Sequence, residues 1–174
     1  MKKIKITYVN KFMRLVWLLV WNIFFRYSPI FLFGYRNYLL KLFGANIGSN
    51  VEIYPTCEIW APWNLIIGSN SGIGGHCKVY NVDKVIIKEN VNISQYVYLC
   101  TASHAYSEND FPLIVAPIII NSHAWIAADA FISMGVSVGY KSIVGARSSV
   151  FKNVEDFTIV GGNPAIYLKG VKGV

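Results

Sequence analysis

The chain has 174 residues, 54% of them hydrophobic and 14% charged, with a formal net charge of +7. That length suits one domain with a real core, and the apolar content excludes a disordered chain. Residues 1–46 hold eight of the 16 Lys and Arg and no acid, so the remainder carries 8 − 9 = −1, which excludes a nucleic-acid footprint spread over the domain.

Within residues 1–46, Asn10–Phe25 reads as a helix that is apolar on nearly every side and is broken by Ser28-Pro29. Its run Leu15–Phe25 has eleven residues, short of the ~20 that span a bilayer. No small-residue cleavage site comes after it. Tyr35–Phe43 predicts a second helix with Tyr35, Tyr38, Leu39, Leu42 and Phe43 on one face, Arg36 and Lys41 elsewhere, and Gly44 as C-cap. Two roles stay open for residues 1–44. They attach the protein to an anionic membrane surface, or they cap an exposed strand edge of the β-rich remainder of the chain.

From Ile47 the pattern changes. Ile47, Ile53, Ile59, Ile67, Ile73, Val79, Ile87, Ile93 and Leu99 recur every six residues, with two-residue insertions at Leu65-Ile66 and Val85-Ile86. The count resumes with Ile120, Ile126, Ile132, Val138, Val144 and Val150. Four places on stands a mostly small or β-branched residue, from Val51 and Cys57 to Ser103 and Val154, with Trp63 and Asp83 as exceptions. A helix would smear a six-residue period around its surface and a flat strand would alternate at two. A short strand plus a corner, three times per turn, predicts a triangular solenoid of hexapeptide repeats. The expected units are therefore 1–46, a repeat body over 47–155 with an inserted loop at 105–117, and a C-terminal cap at 156–174. The three cysteines are an odd number, not a disulfide framework, and Cys57 and Cys77 fall on inward positions. A reducing cytoplasm is the expected compartment.

The interruption after Leu99 begins at a histidine: Cys100-Thr101-Ala102-Ser103-His104-Ala105-Tyr106-Ser107-Glu108-Asn109-Asp110-Phe111-Pro112. A loop leaving a rigid scaffold usually does so for function. Histidine suits deprotonation of a hydroxyl near neutral pH.

Ile93-Ser94-Gln95, Tyr98-Leu99-Cys100-Thr101, Ser103-His104, Tyr106-Ser107 and Asp110-Phe111-Pro112-Leu113 resemble the hexapeptide-repeat acyltransferases, especially the colanic-acid biosynthesis branch of sugar O-acetyltransferases. Ile59–Leu65, Ala124–Ala128 and Gly161–Ala165 fit the same family, and the resemblance covers about residues 10–170. It implies a left-handed parallel β-helix with N-terminal helices and a short C-terminal helix. It also implies a homotrimer, acetyl-CoA as co-substrate, no metal, and a sugar or glycan acceptor. By position, His104 becomes the general base. Asn81, Tyr106 and Asp110 fall at the acceptor, and Trp125, Ala127, Ala128, Ala146, Arg147 and Lys152 form the CoA wall, the two cations suiting its phosphates. Two departures stand out: Ala105 where many relatives carry an acid, and Ile166 where a basic residue often comes after Asn-Pro-Ala. Lys169 or Lys152 is available to compensate.

Other readings compete. The acceptor is a free sugar, an amino acid or a xenobiotic hydroxyl, or a nitrogen on a nucleotide-linked amino sugar. Cys100, four residues before His104, invites a Cys–His nucleophile. A zinc site of the γ-carbonic-anhydrase kind needs converging histidines, whereas His76, His104 and His123 are separated by 28 and 19 residues. The last is a non-catalytic scaffold. The expectation is a cytoplasmic O-acetyltransferase of exopolysaccharide or capsule synthesis, held near the inner face of the membrane by residues 1–44.

Overall fold

In the computed structural model, which describes residues 1–171, the repeat winds into a parallel β-solenoid of three faces. Each turn lays one short strand on each face in succession. On the first face Ile47, Ile67, Ile87, Ile120 and Val138 are register partners. Ile53, Ile73, Ile93, Ile126, Val144 and Val160 align on the second. Ile59, Val79, Leu99, Ile132 and Val150 align on the third. All are buried, and each such side chain contributes about 1.5–3 kcal/mol by leaving water. The residues four places on are buried too, except Trp63 and Asp83, which are half-buried, and Ser103, where the insertion has already begun. Burial raises the Cys57 thiol well above its usual range and pushes Cys77 up to about 12, which fits packing roles.

Two of the three corners turn through left-handed backbone. Asn50, Asn70, Asn90, His123, Lys141 and Phe157 have positive φ between the first and second faces, and His76, Tyr96, Asp129 and Arg147 between the second and third. Asparagine tolerates this region best. Stacked corners approach closely: a Cβ on Gly68 would stand 2.5 Å from the backbone nitrogen of Glu89. The glycines that come directly after the aliphatic residues are therefore a spacing requirement.

A parallel stack leaves strand edges open at both ends. At the first turn the N-terminal helices close it. Helix α1 (Tyr8–Val20), capped by Thr7, continues through a wider π-turn over Trp21–Phe25 and buries Trp17, Trp21 and Phe25. Trp17 Nε1 donates to the Ile59 carbonyl (2.6 Å) and Trp21 Nε1 to that of Cys57 (2.9 Å). From α2 (Phe33–Leu42), Arg36 Nε donates to Ile53 (2.6 Å) and Asn37 Nδ2 to Val51 (2.7 Å). Four edge carbonyls of the first turn are thus satisfied by side chains.

Helix α2 corrects the expected face. Arg36 is fully buried while Tyr35, Tyr38 and Leu42 are exposed. The guanidinium also donates to Ser28 Oγ (2.9 Å), the Pro29 carbonyl (2.7 Å) and the Ile30 carbonyl. Oriented acceptors won the inward position, and burial lowers the Arg36 pKa without discharging it. Gly44, at φ +88°, ends the helix as expected.

The far end departs further. No C-terminal helix forms among the described residues. Thr158–Gly162 adds to the second face, and Ala165–Gly170 returns antiparallel to it. A returning strand satisfies the last edge with its own backbone, which a helix could not do. No helix is long and apolar enough to cross a membrane among the described residues.

Replacing Arg36 with Met takes the guanidinium donor from the buried Ile53 carbonyl and from that of Ile30, while the Pro29 carbonyl keeps the Leu32 nitrogen. The expected loss is about 3 kcal/mol in chemical denaturation. A variant within 0.5 kcal/mol of wild type, roughly the scatter of surface substitutions, would show that water replaces the guanidinium.

Candidate active site

The insertion leaves the solenoid at the corner between the third and first faces, where extra residues interrupt no ladder. It is an ordered hairpin. Ala102–His104 pairs antiparallel with Leu113–Val115, so His104 lies opposite Leu113. The departure begins at Ala102, sooner than the expected 105. The run Leu113-Ile114-Val115 is the sequence signal that could have given the hairpin away.

His104 is exposed, and its Nδ1 lies 2.6 Å from the Phe111 carbonyl. A carbonyl only accepts, so Nδ1 is the donor in this bond, and no hydrogen bond engages Nε2 among the described residues. Phe111 holds φ at +44°, an unusual conformation for a phenylalanine, and its nitrogen donates to Glu108 (3.1 Å). Sequence reasoning missed this carbonyl because a backbone acceptor leaves no mark in residue type.

The hairpin is tied down from outside. Lys2 and Lys3 pair antiparallel with Val115 and Ile114, the Ile4 nitrogen donates to Leu113 (3.1 Å), and Lys3 Nζ meets Glu108 at 2.7 Å. At its root Val82, Ala102 and Val115 form a small core against Ile4, Trp60, Tyr80 and Leu113. The first residues of the chain therefore strap the histidine-bearing segment to the solenoid, a link with no sequence signature across a separation of 105 residues.

The other candidates divide. Asn81 is fully buried, accepting from the Ala61 nitrogen (2.9 Å) and donating to the Ala61 carbonyl (2.6 Å). Its amide is spent on bridging two turns, so it clamps the corner rather than meeting an acceptor. Tyr106 and Asp110 stand exposed at the hairpin tip. Ala127, Ala128, Ala146 and Arg147 gather at one corner, between the second and third faces. There the Arg147 nitrogen donates to Ala128 (2.9 Å) and its side chain lies 3.4 Å from Asp129. Trp125 is on the second face, half exposed, with Nε1 donating to Ser94 Oγ (3.0 Å). Lys152 stands at the corner the hairpin leaves from, exposed. One chain does not bring all six to a single surface. Ile166 is exposed on the last strand.

Cys100 Sγ turns to the Ala102 carbonyl (3.2 Å), and no hydrogen bond joins it to His104 among the described residues. His76 and His123 lie at two further corners, in aromatic contact with Tyr96 and Tyr140. The three histidines do not converge.

No protein-family model matches the chain. It is 39% identical over 154 residues, 88% of this chain and 85% of the relative, to the protein named as the colanic acid biosynthesis acetyltransferase WcaF of Escherichia coli (strain K12). Among solved structures it superposes on a galactoside acetyltransferase in complex with coenzyme A (TM-score 0.88, 23% identity, 97% of this chain and 86% of that one). It also superposes on a hexapeptide-repeat acetyltransferase of Vibrio cholerae complexed with acetyl coenzyme A (TM-score 0.85, 23% identity, 96% and 91%). At these identities the two likenesses speak for the fold.

Deleting residues 1–5 should cost the solenoid less than about 2 kcal/mol. Amide exchange at Ser103, His104 and Leu113–Val115 should rise about tenfold as the strap's pairing is lost. Exchange unchanged at those positions would mean the hairpin holds itself.

Proposed function

The chain belongs to the hexapeptide-repeat acetyltransferases, with the colanic acid biosynthesis acetyltransferase WcaF as a relative, and on that premise we propose that it moves acetyl from acetyl-CoA to a sugar hydroxyl. The observation that carries the reading is His104, whose Nδ1 is held by the Phe111 carbonyl while Nε2 is left free on an exposed hairpin. Nε2 takes the hydroxyl proton as the sugar oxygen attacks the thioester carbonyl. The tetrahedral intermediate then collapses, the C–S bond breaks, and His104 returns the proton to the leaving thiolate. The products are the acetyl ester and free coenzyme A. The Phe111 carbonyl fixes the tautomer this exchange needs and stabilises the imidazolium that forms between the two transfers.

Acetyl-CoA is a substrate here, and residues at the solenoid corner fit it. Ala127, Ala128 and Ala146 leave a low surface for a thin pantetheine arm, and Arg147, in its Asp129 pair, offers a cation for phosphate. Because Lys152 and the hairpin lie at another corner, we read the complete site as formed between neighbouring subunits of a homotrimer, with the hairpin of one facing the wall of the next. The acceptor is then a glycan precursor of exopolysaccharide or capsule, reached from the cytoplasmic side.

Residues 1–44 serve both roles that their sequence leaves open. One side caps the first turn. The other exposes Phe12, Leu15, Leu18, Leu19, Ile23 and Phe24 in a segment that holds Lys11, Arg14 and Arg26, a composition suited to the headgroup boundary of an anionic membrane.

Thiol release from acetyl-CoA with a panel of free, nucleotide-linked and lipid-linked sugars should depend on the acceptor and fall at least about a hundredfold in His104→Ala. Unchanged turnover in that variant would remove the general base. For the membrane, deletion would strip the cap, so the sharper variant places Ser at Phe12, Leu19 and Ile23. It should lose flotation with anionic vesicles while folding as wild type.

A further inference from the structure

Between α1 and the third face runs a groove of about 420 Å³ that the acetyl-transfer chemistry does not use. One wall is the outer surface of the third face and the other is the helix. Three features of its lining point to one kind of occupant.

The first is charge. Lys11, Arg14 and Lys78 line the groove against a single carboxylate, Glu58, a balance of 3 − 1 = +2. The Arg14 guanidinium carbon stands over the Trp60 indole, 3.7 Å from its centroid, and Trp60 is braced by Tyr80 at 5.5 Å and 79°. Among the described residues neither Arg14 nor the two lysines has an ion-pair partner. Glu58 and Lys78 face each other across adjacent strands without closing to 4.0 Å. A planar guanidinium held over an aromatic ring, with no ion pair among the described residues, is suited to bidentate binding of a phosphate group.

The second is apolar continuity. Leu15 and Leu18 line the same groove, yet each is more than half exposed. Their stripe runs on to Phe12 and Leu19 on the outer side of the helix. The groove therefore opens sideways onto apolar helix surface. A free sugar or a nucleotide has no use for that surface, whereas a long hydrocarbon chain does.

The third is position. Trp60 and Tyr80 pack under Ala102 and Val115 at the root of the hairpin that carries His104. A ligand held at Arg14 has its remaining polar part directed along the third face toward that hairpin.

We propose that this groove binds the acceptor as a glycan joined through phosphate to a long apolar chain. Its phosphate sits at Arg14 between Lys11 and Lys78, and its chain lies over Leu15 and Leu18 toward the membrane. The proposal rests on the acetyltransferase reading and names the substrate class of that site. Attachment to the membrane and capture of the acceptor then become one event on one helix.

The test uses the full chain and neutral phosphatidylcholine vesicles doped with polyisoprenyl phosphate, compared with vesicles of equal charge doped with phosphatidylglycerol. Wild type should prefer the isoprenyl phosphate. Arg14→Gln and Lys78→Gln should each weaken that binding about fivefold, while Lys141→Gln, outside the groove, keeps it. Equal binding to the two vesicles, or a preference that survives both groove variants, overturns the proposal. Coenzyme A titrated calorimetrically into the same wild-type protein reads the transferase separately. Heat from coenzyme A without vesicle preference sinks the groove and leaves acetyl transfer standing. Preference without heat keeps a lipid-phosphate groove and removes its role as an acceptor site.

Discussion

Each strand of this protein is held by the strands one turn away, through backbone hydrogen bonds and a ladder of like aliphatic side chains, and almost every other feature depends on that stacking. Because a ladder such as Ile53, Ile73, Ile93, Ile126, Val144 and Val160 tolerates no slip, an insertion can leave the solenoid only at a corner. The histidine-bearing hairpin does so between the third and first faces. The same stacking supports the hairpin, since its root is packed through Ala102 and Val115 against Trp60 and Tyr80 of the solenoid.

Stacking also creates two open ends, and the protein closes them by different physics. At the first turn the exposed acceptors are met by the indole, guanidinium and amide donors of two helices. At the last turn a strand folds back and supplies backbone partners. The helical solution leaves a second helix surface over, and here that surface is apolar and flanked by cations. The strand cap differs in its partners: its outer side also exposes Ile166, Tyr167 and Leu168, but it meets the edge backbone to backbone.

The N-terminus joins these two themes. The strap of Lys2 and Lys3 on the hairpin runs straight into α1, so the segment that closes the solenoid also orders the loop that carries His104. Capping of the first turn and pairing with the histidine-bearing hairpin thus share about forty residues, although His104 lies some sixty residues further on.

The six-residue period alone determined the solenoid, its inward residues and the place of its interruption, because a buried ladder demands the same kind of side chain in every turn and writes that demand into the sequence. His104 stood out as a candidate because a break in a strict pattern is conspicuous, while the role proposed for it came from the family resemblance. The buried role of Arg36, the clamp formed by Asn81, the Phe111 carbonyl behind His104, the C-terminal strand and the strap by Lys3 were decided only in three dimensions. In each the partner is a backbone group or a residue distant in the chain. Residue type records what a side chain is, and only the folded chain determines which acceptor it meets.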